Sequence, residues 1–395
     1  MGCQLAGNAS TQSRGRRPLS PGAVSARTLW TNDVHERVEF TFADGHAEQL
    51  KLLSWVVGQA GLLWGAGPFP ASIEQAIRQP SYSNGVHGSY GHAAEWQLAD
   101  LLGQVFDGLL TSDDLAVRFF QNGGDACAAA VRIARAFTDS FAIATQGYHG
   151  VGDSLAHAPA STGIPGYLVN LHRRFEFGDT AGMKAAMWQT FATATCVMVE
   201  VPALDDDAAI AGFLRDCRET CDRNGIPLIF DDVVLGFRLA LGGTAEYYGV
   251  RPDMVCLGKA MCATGGVSAL IGRADLVGRL GEDVFYSTTF GGSPGPCAVA
   301  AATVRWLHEH RSEVYGEAGH LRRIGTALKD GYNALGIKCV GQPERSVFAF
   351  PSDDEWLSFC SRMIGAGYMV HRPNFPTLAH TLADVEATLE AAGKA

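Results

Sequence analysis

Short apolar runs and longer stretches of helical spacing alternate through the middle of the chain. Leu115–Phe120, Phe141–Thr145, Cys196–Val201, Met254–Leu257 and Val267–Ile271 each read as a strand, as does the run from Ile226 that ends in Asp231 and Asp232. Ala94–Leu110, Ala126–Phe137, Asp207–Asn224 and Cys297 to about Glu309 carry the apolar spacing of helices. Strands alternating with helices predict an α/β fold. Nearer the start, Val38–Phe42 alternates apolar and polar positions as a half-buried strand does, with Ala43-Asp44-Gly45 as its turn. Residues 310–395 alternate helices with short strands, and no internal repeat is present.

Composition narrows the class. The 395 residues exceed one small core, which suggests two or more domains. With 47% hydrophobic and 18% charged residues, a large core forms and wholesale disorder is excluded. A net charge of −10 argues against a general nucleic-acid binder, which needs a basic face. Residues 1–20 are rich in Ser, Arg and Gly and read as a flexible tail. The ten cysteines contain no Cys-x-x-Cys pair. Cys217 and Cys221 share one helix face but do not make a zinc site alone, so reduced, structural thiols in a cytoplasmic protein are expected. No stretch reaches the ~20 apolar residues of a membrane span. The start Met1-Gly2-Cys3 does not complete a lipidation signal, because Ala6 stands where Ser or Thr is needed.

Two segments carry candidate chemistry. From Asp207 a helical stretch leads into a buried strand that ends in Asp231 and Asp232. In an open α/β sheet ligands sit beyond the carboxyl ends of the strands, where both acids fall. Asp232 is equally suited to capping the next turn. Lys259 follows the run Met254–Leu257, which Asp253 begins and Gly258 ends. Among small and apolar neighbours it is either a surface residue or a desolvated amine, whose lowered pKa suits it to a Schiff base. A lysine for an aldehyde and an acid for a ring nitrogen are what a pyridine-ring cofactor requires. Upstream, Gln121-Asn122-Gly123-Gly124-Asp125-Ala126 joins a strand to a helix start, where free N–H groups and the helix dipole favour an anion.

The chain resembles the class III (fold type I) pyridoxal-phosphate aminotransferases, nearest the glutamate-1-semialdehyde 2,1-aminomutase branch. The matching stretches are Gln-Asn-Gly-Gly-Asp-Ala at 121–126, Tyr-His-Gly at 148–150 and Phe-Asp-Asp-Val-Val-Leu-Gly-Phe-Arg at 230–238. Pro-Asp-Met-Val-Cys-Leu-Gly-Lys-Ala-Met at 252–261 and Ser-Thr-Thr-Phe-Gly-Gly-Ser-Pro at 287–294 complete the set, all in family order.

The resemblance implies a large domain with a mostly parallel seven-stranded sheet between helices, and a smaller α+β domain from the two chain ends. The boundaries it suggests are a tail at 1–20, an N-terminal segment of the small domain at 21–65, a cofactor domain at 66–300 and the rest of the small domain at 301–395. Pyridoxal 5'-phosphate is the implied cofactor, with pyridoxamine phosphate as intermediate. Lys259 would form the Schiff base and carry the proton. Asp231 would keep the ring nitrogen protonated, with Val233 beneath the ring and Tyr148 over it. His149 would tune the site or bond locally, and Arg238 would partner nearby acids. Asn122, Gly123 and Gly124 would receive the phosphate. Thr289 would reach the phosphate of the other subunit in a homodimer with shared active sites.

Arg27, Trp55 and Glu200 fall where relatives meet substrate, and the stretches Gly85–His92 and Pro373–Pro376 complete the expected pocket. Three departures stand out. Asn122 and Gly124 replace the usual Ser and Thr, so a hydroxyl to the phosphate is missing at Gly124. Glu200-Val201-Pro202 alters a Glu-Pro order, and Arg27 is displaced from the family arginine. The activity implied is amino transfer between small-molecule amine and carbonyl substrates. An aminomutase that returns the amine to the same skeleton is the alternative. A decarboxylase, racemase or carrier-bound variant, or a non-catalytic binding protein, stands further off.

Overall fold

A computed structural model describes residues 23–32, 34–42, 46–55, 63–64, 67–79, 91–155, 162–188 and 194–394, with the side chains of 23–32 and 42 outside the description. The expected tail at 1–20, the turn at 43–45 and most of Gly85–His92 lie outside the described residues. The chain divides into two compact units, one from the chain ends (to residue 58, 63–68 and from 321) and one from 59–62 and 69–320.

The end unit begins with an antiparallel meander of β1 (Ala23–Asn32), β2 (His35–Phe42) and β3 (Ala47–Ser54). Val38 and Phe40 of β2 are buried, as the alternation predicts.

The central unit is built on seven strands. They are β4 (Leu115–Phe120), β5 (Ile143–Gln146), β6 (His172–Arg174), β7 (Val197–Val199), β8 (Leu228–Asp232), β9 (Met254–Leu257) and β10 (Ser268–Arg273). Their order is β4-β10-β9-β8-β7-β5-β6. Only β10 runs against the others, antiparallel to both β4 and β9. The C-terminal ends of β4, β5, β7, β8 and β9 therefore open on one edge, which the N-terminal end of β10 joins.

Helices α1 (Ala93–Val105), α2 (Gly123–Thr138), α3 (Asp207–Asn224) and α4 (Pro294–Glu309) belong to this unit. The buried face of α2 is mostly alanine (Ala126, Ala129, Ala130 and Ala134), and these short side chains let it lie close on the sheet. Asn122 caps α2, its Oδ1 accepting the Asp125 N–H at 3.0 Å, so the helix begins at Gly123 rather than at Ala126. α1 stops at Val105, short of the expected Leu110, and Gly108 follows with φ +69°.

Asp253, expected only to begin β9, joins four elements of this unit. Its carboxylate accepts from Thr111 Oγ1 (2.6 Å), Arg218 (2.7 Å), the Leu228 N–H (2.8 Å) and Arg273 (3.3 Å). Burial alone would raise this carboxyl, but Arg218 and the other donors hold it below the ordinary aspartate value.

The end unit is completed by α5 (His320–Ala334), β11 (Cys339–Val340), β12 (Val347–Phe348), α6 (Asp353–Gly365), β13 (Tyr368–Met369) and α7 (Leu382–Lys394). β13 joins the meander parallel to β3. Tyr332, Phe348, Trp356 and Phe359 form its aromatic core. The nine described cysteines are all buried and none forms a disulfide, Cys217 and Cys221 of α3 among them.

Candidate active site at the carboxyl edge of the central sheet

Asp231 ends β8 at the open edge and is almost fully buried. Its Oδ2 lies 2.8 Å from Nδ1 of His149, whose side chain has no exposed surface. Its Oδ1 accepts the Val233 N–H at 3.2 Å. His149 follows β5, which places it beyond the same edge. A proton on Nδ1 makes the imidazole a donor to the carboxylate and leaves Nε2 as a buried acceptor, which has no hydrogen-bond partner among the described residues.

Lys259 follows β9 directly and opens a single 3-10 turn, Lys259–Met261. Its φ is +41°, in the left-handed region that lysine seldom adopts, and its side chain is partly buried. Conformations of this kind gather where a side chain is held for a task. Gly258 before it allows a close approach, since a Cβ there would lie 2.8 Å from Ser268 Oγ and 3.4 Å from Val233 Cγ1.

Val233 lies beside this strand end. A Cβ on Gly123 would fall 2.6 Å from both of its γ-carbons, so the start of α2 closes onto it only as glycine. The N–H groups of Gly123 and Gly124 stand in the first turn of α2, before any intrahelical acceptor. Gly150, at φ +119°, backs onto Gly124, and a Cβ on it would be 2.8 Å from the Gly124 Cα. The two motifs 121–126 and 148–150 thus meet backbone to backbone, forming a cradle that a side chain would fill. The Asn122 amide is committed to its own helix, with Nδ2 donating to Asp125 Oδ2 at 2.7 Å.

Tyr148 presents a ring that is 59% exposed. Its N–H donates to Glu200 Oε2 at 3.1 Å, and Gly147, at φ +107°, packs on the Glu200 Cβ. Glu200 therefore fixes the turn that carries Tyr148. Thr289 lies in an exposed turn followed by Gly291, where a Cβ would be 2.6 Å from the Phe119 carbonyl oxygen at the end of β4.

Asp232 points to the opposite face of β8 and is held by Thr244, whose N–H donates at 2.7 Å and whose hydroxyl donates at 2.5 Å. Burial is the main cause that pushes its carboxyl up to about 7, against the Thr244 bonds and with help from the Asp231 and Glu200 charges. Rather than the turn that follows β8, it serves the first turn of the short helix Gly243–Tyr248. Thr244 was not legible as its partner, because nothing local marks a threonine twelve residues on. Arg238 is wholly buried.

The expected substrate residues fare differently. Trp55 has no exposed surface: it stacks on His380 at 4.0 Å, and its indole N–H donates to Thr388 Oγ1 at 3.0 Å. Its indole is thus satisfied within the end-unit core. Asn374 and Phe375 in Pro373–Pro376 are buried there too. Arg27 pairs with Glu39 across β1 and β2, and its side chain lies outside the described residues.

The donor set fits a pyridine cofactor with an anionic tail: a buried, oriented acid, a lysine at a strand end, an exposed aromatic ring and a glycine cradle at a helix start. Among the described residues no cluster suits a metal ion.

Comparison with known proteins agrees. The class-III aminotransferase family model matches residues 206–338. A glutamate-1-semialdehyde 2,1-aminomutase of Methanoculleus marisnigri is 30% identical over 324 residues, covering 72% of this chain and 77% of the relative. Another, of Methanosarcina acetivorans, is 28% identical over 336 residues, covering 76% and 78%. An omega-transaminase structure from Sphaerobacter thermophilus superposes with a TM-score of 0.79 at 21% identity, covering 96% of this chain and 92% of that one. The chain belongs to the class III aminotransferase family. It is a pyridoxal-phosphate-dependent enzyme of the aminotransferase type.

Proposed function

We propose that this protein moves an amino group between a small amine or amino acid and a carbonyl substrate, with Lys259 and Asp231 as its catalytic residues. The observation that carries this reading is the buried His149–Asp231 pair at the sheet edge from which Lys259 emerges. When bound, the cofactor supplies an aldehyde for the amine and a ring that withdraws electrons from the carbon being deprotonated. Lys259 would hold the cofactor's aldehyde through Nζ, and as a free amine the same Nζ would carry the proton. Asp231 would hold a proton on the ring nitrogen, and His149 orients Asp231. Tyr148 would cover one ring face and Val233 would support the other. The N–H groups of Gly123 and Gly124 receive the phosphate.

The enzyme is further proposed to be a cytoplasmic homodimer, with Thr289 of one subunit completing the phosphate site of the other. No helix among the described residues is long and apolar enough to cross a membrane. Arg27 remains a proposed carboxylate receptor.

The two relatives named as aminomutases favour a second reading, in which the amine returns to the same carbon skeleton. A half-reaction screen separates the two readings. A transaminase mixed with candidate amines accumulates the amine form of the cofactor, seen as a shift of its visible band. A mutase turns over a single amino-carbonyl compound with no external acceptor. Borohydride should fix cofactor to the peptide that contains Lys259; label on another lysine would overturn the assignment.

A further inference from the structure

Asp231 stands on the sheet face that α2 covers. The helix starts at the open edge and returns along the sheet, and Gly123 in its first turn packs on Val233. One helical turn advances roughly 5.4 Å and two strand residues roughly 6.6 Å. The residue four beyond Gly123 therefore faces the residue two before Val233. These are Cys127 and Asp231. On the neighbouring strand Cys256 stands in register with Asp231 and, as a paired residue of parallel strands, shares its face. Cys127 and Cys256 are both fully buried in one core cluster with Ile229 and Leu270.

We infer that Cys127 is a positioning residue for the acid that meets the cofactor ring: its S–H is directed at the Asp231 carboxylate, with the Cys256 sulfur at its other side. Asp231 is then gripped laterally by the His149 imidazole and from below by a thiol. The neighbouring Cys256, burial, and the charge and hydrogen bond of Asp231 together push the Cys127 thiol well above the ordinary cysteine value. It therefore stays protonated as a donor and brings no charge of its own to the buried acid. A small apolar residue would pack α2 on the sheet equally well, as its alanines do, but would leave the underside of the carboxylate without a donor.

The inference rests on the assignment of Asp231 to the ring nitrogen, and the test keeps the two apart. Full-length holoenzyme is compared as wild type, Cys127→Ser, Cys127→Ala and Cys127→Val, reading the pH at which the visible cofactor band titrates and the cofactor dissociation constant. Cys127→Ser, which keeps a donor, should match wild type. Cys127→Ala and Cys127→Val should shift the titration and weaken cofactor binding about three- to tenfold, the range of an ordinary hydrogen bond, because a thiol is a weak donor. In an Asp231→Asn background, Cys127→Val should add no further shift. The inference is overturned if all three variants behave as wild type. It is equally overturned if Cys127→Ser is as disturbed as Cys127→Ala, which would make the thiol a packing group only. An Asp231→Asn enzyme with a wild-type band and affinity would instead refute the assignment of Asp231 itself.

Discussion

Nδ1 of His149 lies 2.8 Å from Oδ2 of Asp231, across 82 residues of sequence, and both side chains are withdrawn from solvent. A buried carboxylate without donors prefers to take up a proton, and a neutral acid cannot hold a proton on a ring nitrogen. The imidazole and the Val233 N–H both meet the Asp231 carboxylate and fix its direction.

Replacing Asp231 with Asn or Ala should therefore lower the turnover rate by orders of magnitude while circular dichroism shows an intact fold. His149→Asn or His149→Phe should lose less, about 10- to 100-fold, as expected for one hydrogen bond to a charged group. Steady-state kinetics and the cofactor spectrum check both. A near-wild-type rate in Asp231→Ala would show that another group holds the nitrogen.

The proposed phosphate cradle carries glycine rather than a hydroxyl side chain at Gly124. That glycine lies within α2 and outside the left-handed region, and a Cβ there would be 3.3 Å from Asn122 Oδ1 and 3.5 Å from the Gly150 Cα. Gly124→Thr should fold and should tighten cofactor binding about tenfold, measured by quenching of intrinsic fluorescence. Gly150→Ala should weaken it, because φ +119° and the 2.8 Å approach to Gly124 both oppose a methyl group. Weaker binding with a lowered melting temperature in Gly124→Thr would mean that the Asn122 cap does not yield.

Asp232 makes stability depend on pH. Folded, it keeps its proton up to about pH 7; unfolded, an aspartate loses it near pH 4. The folded state therefore binds the extra proton between these values. The contribution of Asp232 to stability falls as pH rises from about 4 to about 7 and is level above that. Asp232→Asn imitates the protonated side chain toward Thr244. It should raise the melting temperature at about pH 8 and leave it nearly unchanged at about pH 4. Parallel melting curves for the two proteins across this range would contradict the linkage.

Sharing of sites between subunits is open to a mixing experiment. Lys259→Ala disables a site in its own subunit, whereas Thr289→Glu should repel the phosphate in its neighbour's. In a mixed dimer both lesions fall on one site and leave the other with wild-type groups. Co-refolding the two inactive variants should recover up to one working site per mixed dimer. No recovery in proven heterodimers would refute the shared site.

Elements whose apolar spacing is local were determined by the sequence alone. Leu115–Phe120, Asp207–Asn224 and Met254–Leu257 have the bounds that their patterns predict. So was the order of the cofactor motifs, since each is a contiguous string. Boundaries set by a cap or a left-handed glycine were less legible, as at Asn122 and Gly108. Only the tertiary structure decided which residue meets which. Sheet order is not chain order, and β10 separates β4 from β9 while β7 separates β5 from β8. That order brings His149 to Asp231, sets Gly150 against Gly124 and turns Asp232 toward Thr244. It also shows Trp55 as a core residue, because its partners His380 and Thr388 arrive from the far end of the chain. Periodicity reports which face of an element is buried; the partner on that face is chosen by packing between segments that carry no mark of each other.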